Sequence, residues 1–371
     1  WKLTNTGLLQ LLAKCSATLE VLNLHATFIS GESLESLPLL KQLEKLDLGY
    51  CRNLTNTGLL QLLAKCSATL EDLNLFETGI SGEGLESLPL LKLEKLDLGY
   101  CQNLTITGLL QLLGKCSATL ADLSLDHTGI SGEGLESISL LKLEKLDLEF
   151  CRNLTNTGLL QLLAYCSATL KDLNLYGTEL CLENLPFLKQ LETVNLNCCR
   201  VTNEELLELL AKYSATLKDL SLIDTEISGE GLESIPLLKQ LETLNLEKCN
   251  KMTNTGLLQF LGKCLATLTH LNLSSTSISG ECLESLPVLK LEELDLKNCR
   301  KLTNTGLLEL LDKCSATLKD INLSSTTVSG EGLEESLPVL NLEKLNLHYC
   351  QNLTKTGLLE FLSKCSATLK D

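Results

Sequence analysis

The sequence lacks the segments that divide, anchor or equip most long chains. Its 371 residues contain no proline- and serine-rich linker. No apolar run approaches the roughly 18 residues that a membrane-spanning helix needs. Zinc-type CxxC pairs and cysteine–histidine clusters are absent, as are P-loop, GxSxG, HExxH and strand-linked GxGxxG motifs. These absences favour a non-enzymatic chain without catalytic residues, metal or cofactor.

Two related segments alternate along the whole chain. A long form, LEKLDLGYCRNLTNTGLLQLLAKCSAT, occupies residues 43–69, and a short form, LEDLNLFETGISGEGLESLPLLK, occupies residues 70–92. The long form restarts at Leu43, Leu93, Leu143, Leu191, Leu241, Leu291 and Leu342. The short form restarts at Leu19, Leu70, Leu120, Leu170, Leu217, Leu268 and Leu318. A fixed period predicts one elongated array, residues 1–371, in which each unit packs on its neighbours.

Each form predicts a strand followed by a helix. LxxLxL alternates apolar and polar residues, which is typical of a short half-buried strand, and a threonine or asparagine before GLLQLLAKC can cap a helix. The short form leaves room for only a brief helix. Strands stack about 4.8 Å apart whereas helices need 8–10 Å, so the strands must line the inside of a curve. We expect an α/β solenoid, a horseshoe with a parallel sheet on its concave face and helices of alternating length on its convex face.

The predicted array contains about 14 complete repeats, with a half-repeat at the N-terminus and a truncated repeat at the C-terminus. The chain therefore looks like a fragment of a longer array. Its ends carry no polar caps, so self-association through them is expected.

These repeats resemble a known family. LDLGYCRNLTNTGLLQLLAKCSATL is similar to the cysteine-containing class of leucine-rich repeats, found in F-box substrate receptors. The alternation of two unit types also resembles ribonuclease inhibitor. The first resemblance implies a substrate-recognition array of a ubiquitin ligase, although no F-box is found here, and the second implies a protein inhibitor that clamps its ligand.

Seventeen cysteines invite a disulfide interpretation that the repeat spacing opposes. Equivalent cysteines, such as Cys51 and Cys101 or Cys66 and Cys116, should lie two strands apart, roughly 9 to 10 Å. A disulfide needs Cα atoms within about 7 Å. We therefore expect buried free thiols, which favour a reducing, intracellular and cytoplasmic setting.

The candidate binding site follows from a comparison of the copies. In LxxLxLxx(C/T), places two, three, five, seven and eight should face the concave side or its rim. Places seven and eight diverge, whereas place two is nearly uniform, as in Glu44, Glu94 and Glu144. Exposed aromatic side chains are typical binding hot spots. The predicted ligand-binding residues are Tyr50, Phe76, Tyr100, Asp126, His127, Glu149, Phe150 and Tyr176. The alternative is that solvent-facing places simply drift.

Charge is concentrated on the same face. The five outward places carry 24 acidic and 9 basic residues, a net charge of −15 out of −16 for the chain. Such a surface should attract a basic protein or peptide and repel nucleic acid and anionic membranes, although acidic residues could equally serve solubility alone. Rows such as Asp47, Asp97 and Asp147 are expected to be solvated ladders without shifted pKa values.

Together these features predict a non-enzymatic scaffold that binds a protein or peptide on its concave sheet. The divergence of places seven and eight favours ligand recognition in innate immunity or host defence. The F-box receptor and the inhibitor remain alternatives.

Overall fold

The computed structural model describes residues 3–32, 34–134, 141–183, 185–264, 267–281, 283–332, 339–365 and 369. The chain forms two compact units. The first unit comprises Trp1–Leu180 and Asn184–Leu191, and the second comprises Cys181–Glu183 and Glu192–Asp371.

In the first unit, strands and helices alternate as the repeats predict. Its helices are α1 Asn5–Cys15, α2 Asn56–Cys66, α3 Ile106–Cys116 and α4 Asn156–Cys166. Its strands are β1 Val21–Asn23, β2 Lys45–Asp47, β3 Asp72–Asn74, β4 Lys95–Asp97, β5 Asp122–Ser124, β6 Lys145–Asp147 and β7 Asp172–Asn174.

The second unit repeats this plan. Its helices are α5 Asn203–Tyr213, α6 Asn254–Cys264, α7 Asn304–Cys314 and α8 Lys355–Lys364, with a short 3₁₀ helix at Leu232–Ser234. Its strands are β8 Thr193–Asn195, β9 Asp219–Ser221, β10 Thr243–Asn245, β11 His270–Asn272, β12 Glu293–Asp295, β13 Asp320–Asn322 and β14 Lys344–Asn346. None of the helices in the described ranges has the length and apolar character needed to cross a membrane.

Within each unit the strands pair in parallel and in register. Leu46 of β2 lies beside Leu73 of β3, which lies beside Leu96 of β4. These central leucines are buried, whereas the residues on either side of them are exposed or half-buried. Since side chains alternate along a strand, the leucines point to the helices and the flanking residues form an open face. The predicted α/β repeat fold is confirmed.

The long helices owe their start and their packing to the repeat consensus. In α2, the Thr55 hydroxyl accepts the N–H of Gly58 at 3.0 Å, which caps the first turn. Leu59, Leu62 and Leu63 are buried. The leucines of the strands and helices thereby form a continuous apolar layer behind the sheet.

The short units contain turns where the sequence suggested a brief helix. Gly82 and Gly84 adopt left-handed φ angles of 77° and 79°, which interrupt a right-handed helix. Ser81 still stabilises the turn by accepting the N–H of Glu83 at 3.3 Å. In the described parts of the short units, a 3₁₀ turn occurs at Leu232–Ser234. Helices of 10 or 11 residues therefore alternate with turns.

The strand-end cysteines fill the layer between repeats. The Cys51 thiol donates to the carbonyl of Leu24 at 3.1 Å, and that of Cys101 donates to Leu75 at 3.1 Å. Burial raises the pKa of the helical Cys66 thiol to about 12. The prediction of buried thiols is confirmed at both positions of the inner repeats, while Cys15, Cys350 and Cys365 of the first and last repeats are half-buried and Cys198, at place eight, is exposed.

Neighbouring repeats approach each other most closely at paired glycines. A Cβ built on Gly108 of α3 would lie 2.0 Å from the carbonyl oxygen of Ser81 and 2.8 Å from the Cα of Gly82. No side chain fits there, so every helix with this contact needs glycine at its third position.

One repeat replaces both glycines together. Leu182 stands where the other short units have glycine, and Glu205 stands at the third position of α5. The Glu205 carboxylate accepts the N–H of Leu182 at 2.8 Å and that of Thr202 at 2.9 Å. Burial alone would raise the pKa of Glu205, but these N–H donors, together with the Cys181 thiol and the Thr202 hydroxyl, outweigh burial and lower it.

Two glycines of the same helix provide a matched test of this packing. Gly108→Ala should destabilise the chain by about 1–3 kcal/mol, because the added methyl group overlaps main-chain atoms. Gly114→Ala should stabilise it by about 0.5–1 kcal/mol, since nothing lies within 4 Å of the added Cβ and alanine is the better helix former. Urea unfolding of both variants measures the difference. Equal effects would contradict the close approach.

Candidate functional site

A short polar residue ends almost every strand and fixes the turn that follows. The Asp97 carboxylate accepts the N–H of Gly99 at 2.9 Å, and the Asn74 side chain accepts that of Phe76 at 2.8 Å. Place five is therefore the acceptor and place seven the donor of the same turn, a conformation that aspartate and asparagine favour. Ser124 and Ser221 are the exceptions at this place.

Place eight adopts the left-handed conformation throughout the described repeats. Tyr50, Tyr100, His127 and Phe150 have φ values of 59°, 56°, 55° and 50°. The N–H of Tyr100 donates to the carbonyl of Asp126 in the next repeat at 2.8 Å, so the main-chain ladder continues past the strand. This conformation costs a non-glycine residue about 1–2 kcal/mol. The main-chain hydrogen bonds between repeats hold the large residues in this conformation in spite of that cost.

The aromatic residues at places seven and eight of the first unit form a continuous row of rings, called here the aromatic ladder. Ring centroids lie 5.0, 5.4, 5.1, 4.0, 4.8 and 4.7 Å apart from one member to the next. These distances are close to those of favourable tilted or stacked ring pairs. The members in order are His25, Tyr50, Phe76, Tyr100, His127, Phe150 and Tyr176.

Glycines make room for this ladder. A Cβ on Gly99 would lie 2.9 Å from the ring of Phe76, and one on Gly177 would lie 2.4 Å from that of Phe150. Strands that carry a tyrosine at place seven or eight thus carry glycine at the other place in the first unit. From the sequence, those glycines were only part of the divergence at places seven and eight. The signal was available in the alternation of Gly49-Tyr50, Gly99-Tyr100 and Tyr176-Gly177.

The rings are less exposed than expected from the sequence. Tyr50 is 38% exposed, while Phe76, Tyr100, Phe150 and Tyr176 are half-buried. The rings cover one another, so part of their apolar surface already stabilises the stack. The ladder therefore has a structural role as well as an outward edge available to a ligand.

The two acidic candidates lie beside the ladder. Asp126 accepts the hydroxyl of Ser124 at 2.7 Å, and one of its carboxylate oxygens lies 3.3 Å from Nδ1 of His127. Glu149 accepts from the side-chain amide of Asn174 at 3.3 Å. All eight sequence-predicted residues therefore lie on one face of the first unit.

Acidic charge is denser on the first unit. Its seven strands carry 14 acidic and 4 basic residues at the five outward places, a net charge of −10. Those of the second unit carry 10 and 5, a net charge of −5. The second unit has mostly serine, asparagine and lysine at places seven and eight, with His348 and Tyr349 in ring contact at 4.0 Å. Aromatic and acidic character thus coincide in the first unit.

The expectation of unshifted carboxylates was wrong. Burial raises the pKa of Asp97 to about 6, against the opposing hydrogen bond from Gly99, and the carboxylates of Asp126, Asp147 and Asp122 add to the rise. The pKa of Asp147 is also raised, chiefly by burial. The burial of these carboxylates and the charges beside them come from adjacent repeats, which the sequence of an isolated repeat could not reveal.

A second apolar surface escaped the sequence analysis. In the short units, the residue after the proline is exposed although the leucines beside it are buried. Leu90 is 76% exposed and Val288 is 70% exposed. The signal was the repeated proline–apolar–leucine order at Pro89 and Pro287. The equivalent exposed residues of the other short units are Leu39, Phe187, Leu237 and Val339.

A metal centre is not apparent in the parts of the chain that the structure describes. Within those ranges, no three or more histidine, cysteine, aspartate or glutamate side chains are grouped so that they could hold a metal ion.

A comparison with protein families agrees with the repeat architecture. A family model described as Leucine Rich repeat matches residues 66–88, 116–139, 264–286 and 289–311. A solved structure, described as the crystal structure of Rad7 and Elc1 complex in yeast, is 20% identical. The alignment covers 92% of this chain and 83% of that one, with a TM-score of 0.48. No curated protein matches.

The raised pKa of Asp97 predicts how stability depends on pH. Because the folded chain binds this proton more readily than the unfolded chain, the contribution of Asp97 to stability falls as pH rises from about 4 to 6. Asp97→Asn should raise the free energy of unfolding at pH 7.5 and flatten this pH dependence, because asparagine keeps the acceptor for Gly99.

Urea unfolding between pH 4 and 8 tests this, with Asp295→Asn as the matched change in β12. Asp295 occupies the same place and accepts the N–H of Lys297 at 2.8 Å. A wild-type curve that Asp97→Asn leaves unchanged would contradict the burial of this carboxylate.

Proposed function

We propose that this chain, which is an array of leucine-rich repeats, binds a protein or peptide on the open face of its first unit. The observation that carries the proposal is the aromatic ladder, a row of rings with carboxylates along its side. Aromatic rings beside complementary charge supply the buried contacts and the steering that protein interfaces use.

The rings at place eight occupy a strained backbone conformation that their packing must offset. Tyr50, Tyr100, His127 and Phe150 occupy left-handed positions where glycine would be free of strain, as Gly177 is at the equivalent place. Strained conformations persist where function or surrounding structure requires them. Ring packing within the ladder contributes about 0.5–1.5 kcal/mol per pair. Each of these rings contacts two others, so ring packing offsets the cost of the left-handed conformation, and the exposed edges of the rings stay available to a ligand.

Charge supports a basic ligand. The Asp126 carboxylate adds to the rise in the pKa of both Asp97 and Asp147, and a cation placed among these groups would relieve this repulsion. The same field repels nucleic acid and anionic lipid.

The biological setting is a narrower proposal. Divergence of places seven and eight on a uniform scaffold supports recognition of a particular ligand, as in host defence. Substrate recognition in an F-box ubiquitin ligase and protein inhibition use such a face in the same way, so the partner's identity separates the three roles.

Two substitutions at place eight test the binding face. Tyr100→Gly and Phe150→Gly remove a ring and relieve the left-handed strain, so the free energy of unfolding should change by only about 1 kcal/mol. Tyr349→Gly is the control, since Tyr349 has the same conformation in the second unit and is 71% exposed. Capture from cell extract followed by mass spectrometry, with urea unfolding in parallel, compares the variants.

We expect a basic protein that wild type and Tyr349→Gly retain and that both first-unit variants lose. Retention by all four chains, together with loss on Leu90→Asp, would contradict the proposal and assign binding to the apolar residues that follow the prolines.

A further inference from the structure

Three rows of side chains run across the strands of the first unit. The row at place three is balanced, because lysine and aspartate alternate from strand to strand. Lys145 and Asp172, for example, lie 3.9 Å apart. The row consists of Lys45, Asp72, Lys95, Asp122, Lys145 and Asp172, preceded by Val21. This row provides little net charge for a ligand.

The row at place five is different. Carboxylates occur on alternate strands, at Asp47, Asp97 and Asp147, with Asn74 and Ser124 between them. Asp97 accepts the Gly99 N–H and Asp147 accepts that of Glu149 at 2.9 Å. Asp47 accepts the N–H of Gly49 and lies 3.6 Å from the ring nitrogen of His25. In the described part of the first unit, none of the three forms an ion pair with lysine or arginine.

The third row is the aromatic ladder itself, two or three residues farther along each chain. A ligand side chain with an aliphatic stem and a cationic head could cover the ring edges and still reach place five. Arginine fits this arrangement best, because its guanidinium binds carboxylates through two hydrogen bonds and packs on aromatic rings.

The spacing of the carboxylates selects the ligand's conformation. Carboxylates on alternate strands are about 9.6 Å apart, twice the strand separation. A polyproline II segment rises about 3.1 Å per residue and returns to the same face every third residue, about 9.3 Å. A β-strand presents the same face every second residue, about 6.7 Å, which does not match.

We propose that the ligand segment is an extended polyproline II stretch with a basic residue, preferably arginine, at every third position. The segment crosses the strands of the first unit and places successive guanidinium groups at Asp47, Asp97 and Asp147. Its arginine stems cover the edges of the aromatic ladder. This inference rests on the proposed function, because it uses the same face.

Synthetic peptides separate this inference from general attraction of positive charge. One fluorescent decapeptide carries arginine at positions 1, 4 and 7 with proline and alanine between them. The comparison peptide has the same composition with arginine at positions 1, 3 and 5. Fluorescence anisotropy with the full chain at physiological salt should give about tenfold tighter binding for the first peptide, which corresponds to one additional well-placed ion pair.

Two variants locate the binding. Asp97→Asn should weaken binding of the first peptide about tenfold. The affinity for the second peptide should stay nearly unchanged, because only the first peptide places an arginine at the Asp97 carboxylate. Asp295→Asn in the second unit should affect neither. Urea unfolding of each variant shows that the fold is retained.

Failure of the inference is distinguishable from failure of the proposed function. Equal affinities for the two peptides, both lowered by Tyr100→Gly, would overturn the spacing and retain the face as a binding site. Absence of peptide binding, with a captured protein still lost on Tyr100→Gly, would likewise overturn only the arginine segment. Insensitivity of every interaction to Tyr100→Gly would overturn both.

Discussion

Parallel, in-register pairing of very short strands is the constraint on which the rest of the structure depends. Each strand is only three residues long, so its central leucine and a few main-chain hydrogen bonds must align each repeat with the next. The main-chain hydrogen bonds between repeats continue through place eight only if that residue is left-handed. They also require that the side chain at place five accept the N–H of place seven. The paired glycines and the strand-end cysteines serve the same alignment from behind the sheet, where each repeat must approach its neighbour without a void.

That alignment separates scaffold from surface. Leucine, cysteine and threonine are fixed because they fill the interior. At places seven and eight only the main chain takes part in the hydrogen bonds between repeats, so the side chains are free to vary. In the first unit those side chains are aromatic rings that contact one another from repeat to repeat. Glycine occurs where any side chain would overlap a neighbouring ring. Carboxylates lie on the same face, and those of Asp97 and Asp147 are partly buried. Apolar contact area and unneutralised charge are thereby combined on a surface that is otherwise flat and polar.

The repeat fold was predictable because its signal recurs in every copy, as in the leucines of β2 and the capped helix that begins at Asn56. Burial of Cys51 and Cys66 followed from the same periodicity. Features that depend on contacts between copies were not predictable from one copy at a time. Gly99 has no meaning until the ring of Phe76 lies over it, and the pKa of Asp97 rises only when its neighbours are in place. The sequence of its own repeat gives no sign that Glu205 reaches the preceding one, and the structure shows it replacing a glycine contact with hydrogen bonds to Leu182 and Thr202.

The central claim is that the aromatic ladder and its carboxylates form the ligand-binding surface. Photo-cross-linking tests it most directly, using the peptide with arginine at every third position and a benzophenone group between two arginines, with the products mapped by mass spectrometry. We predict cross-links confined to residues 45–50, 72–77, 95–100, 122–127 and 145–150 of the first unit. Cross-links concentrated in the second unit, or around Leu90 and Val288, would contradict it.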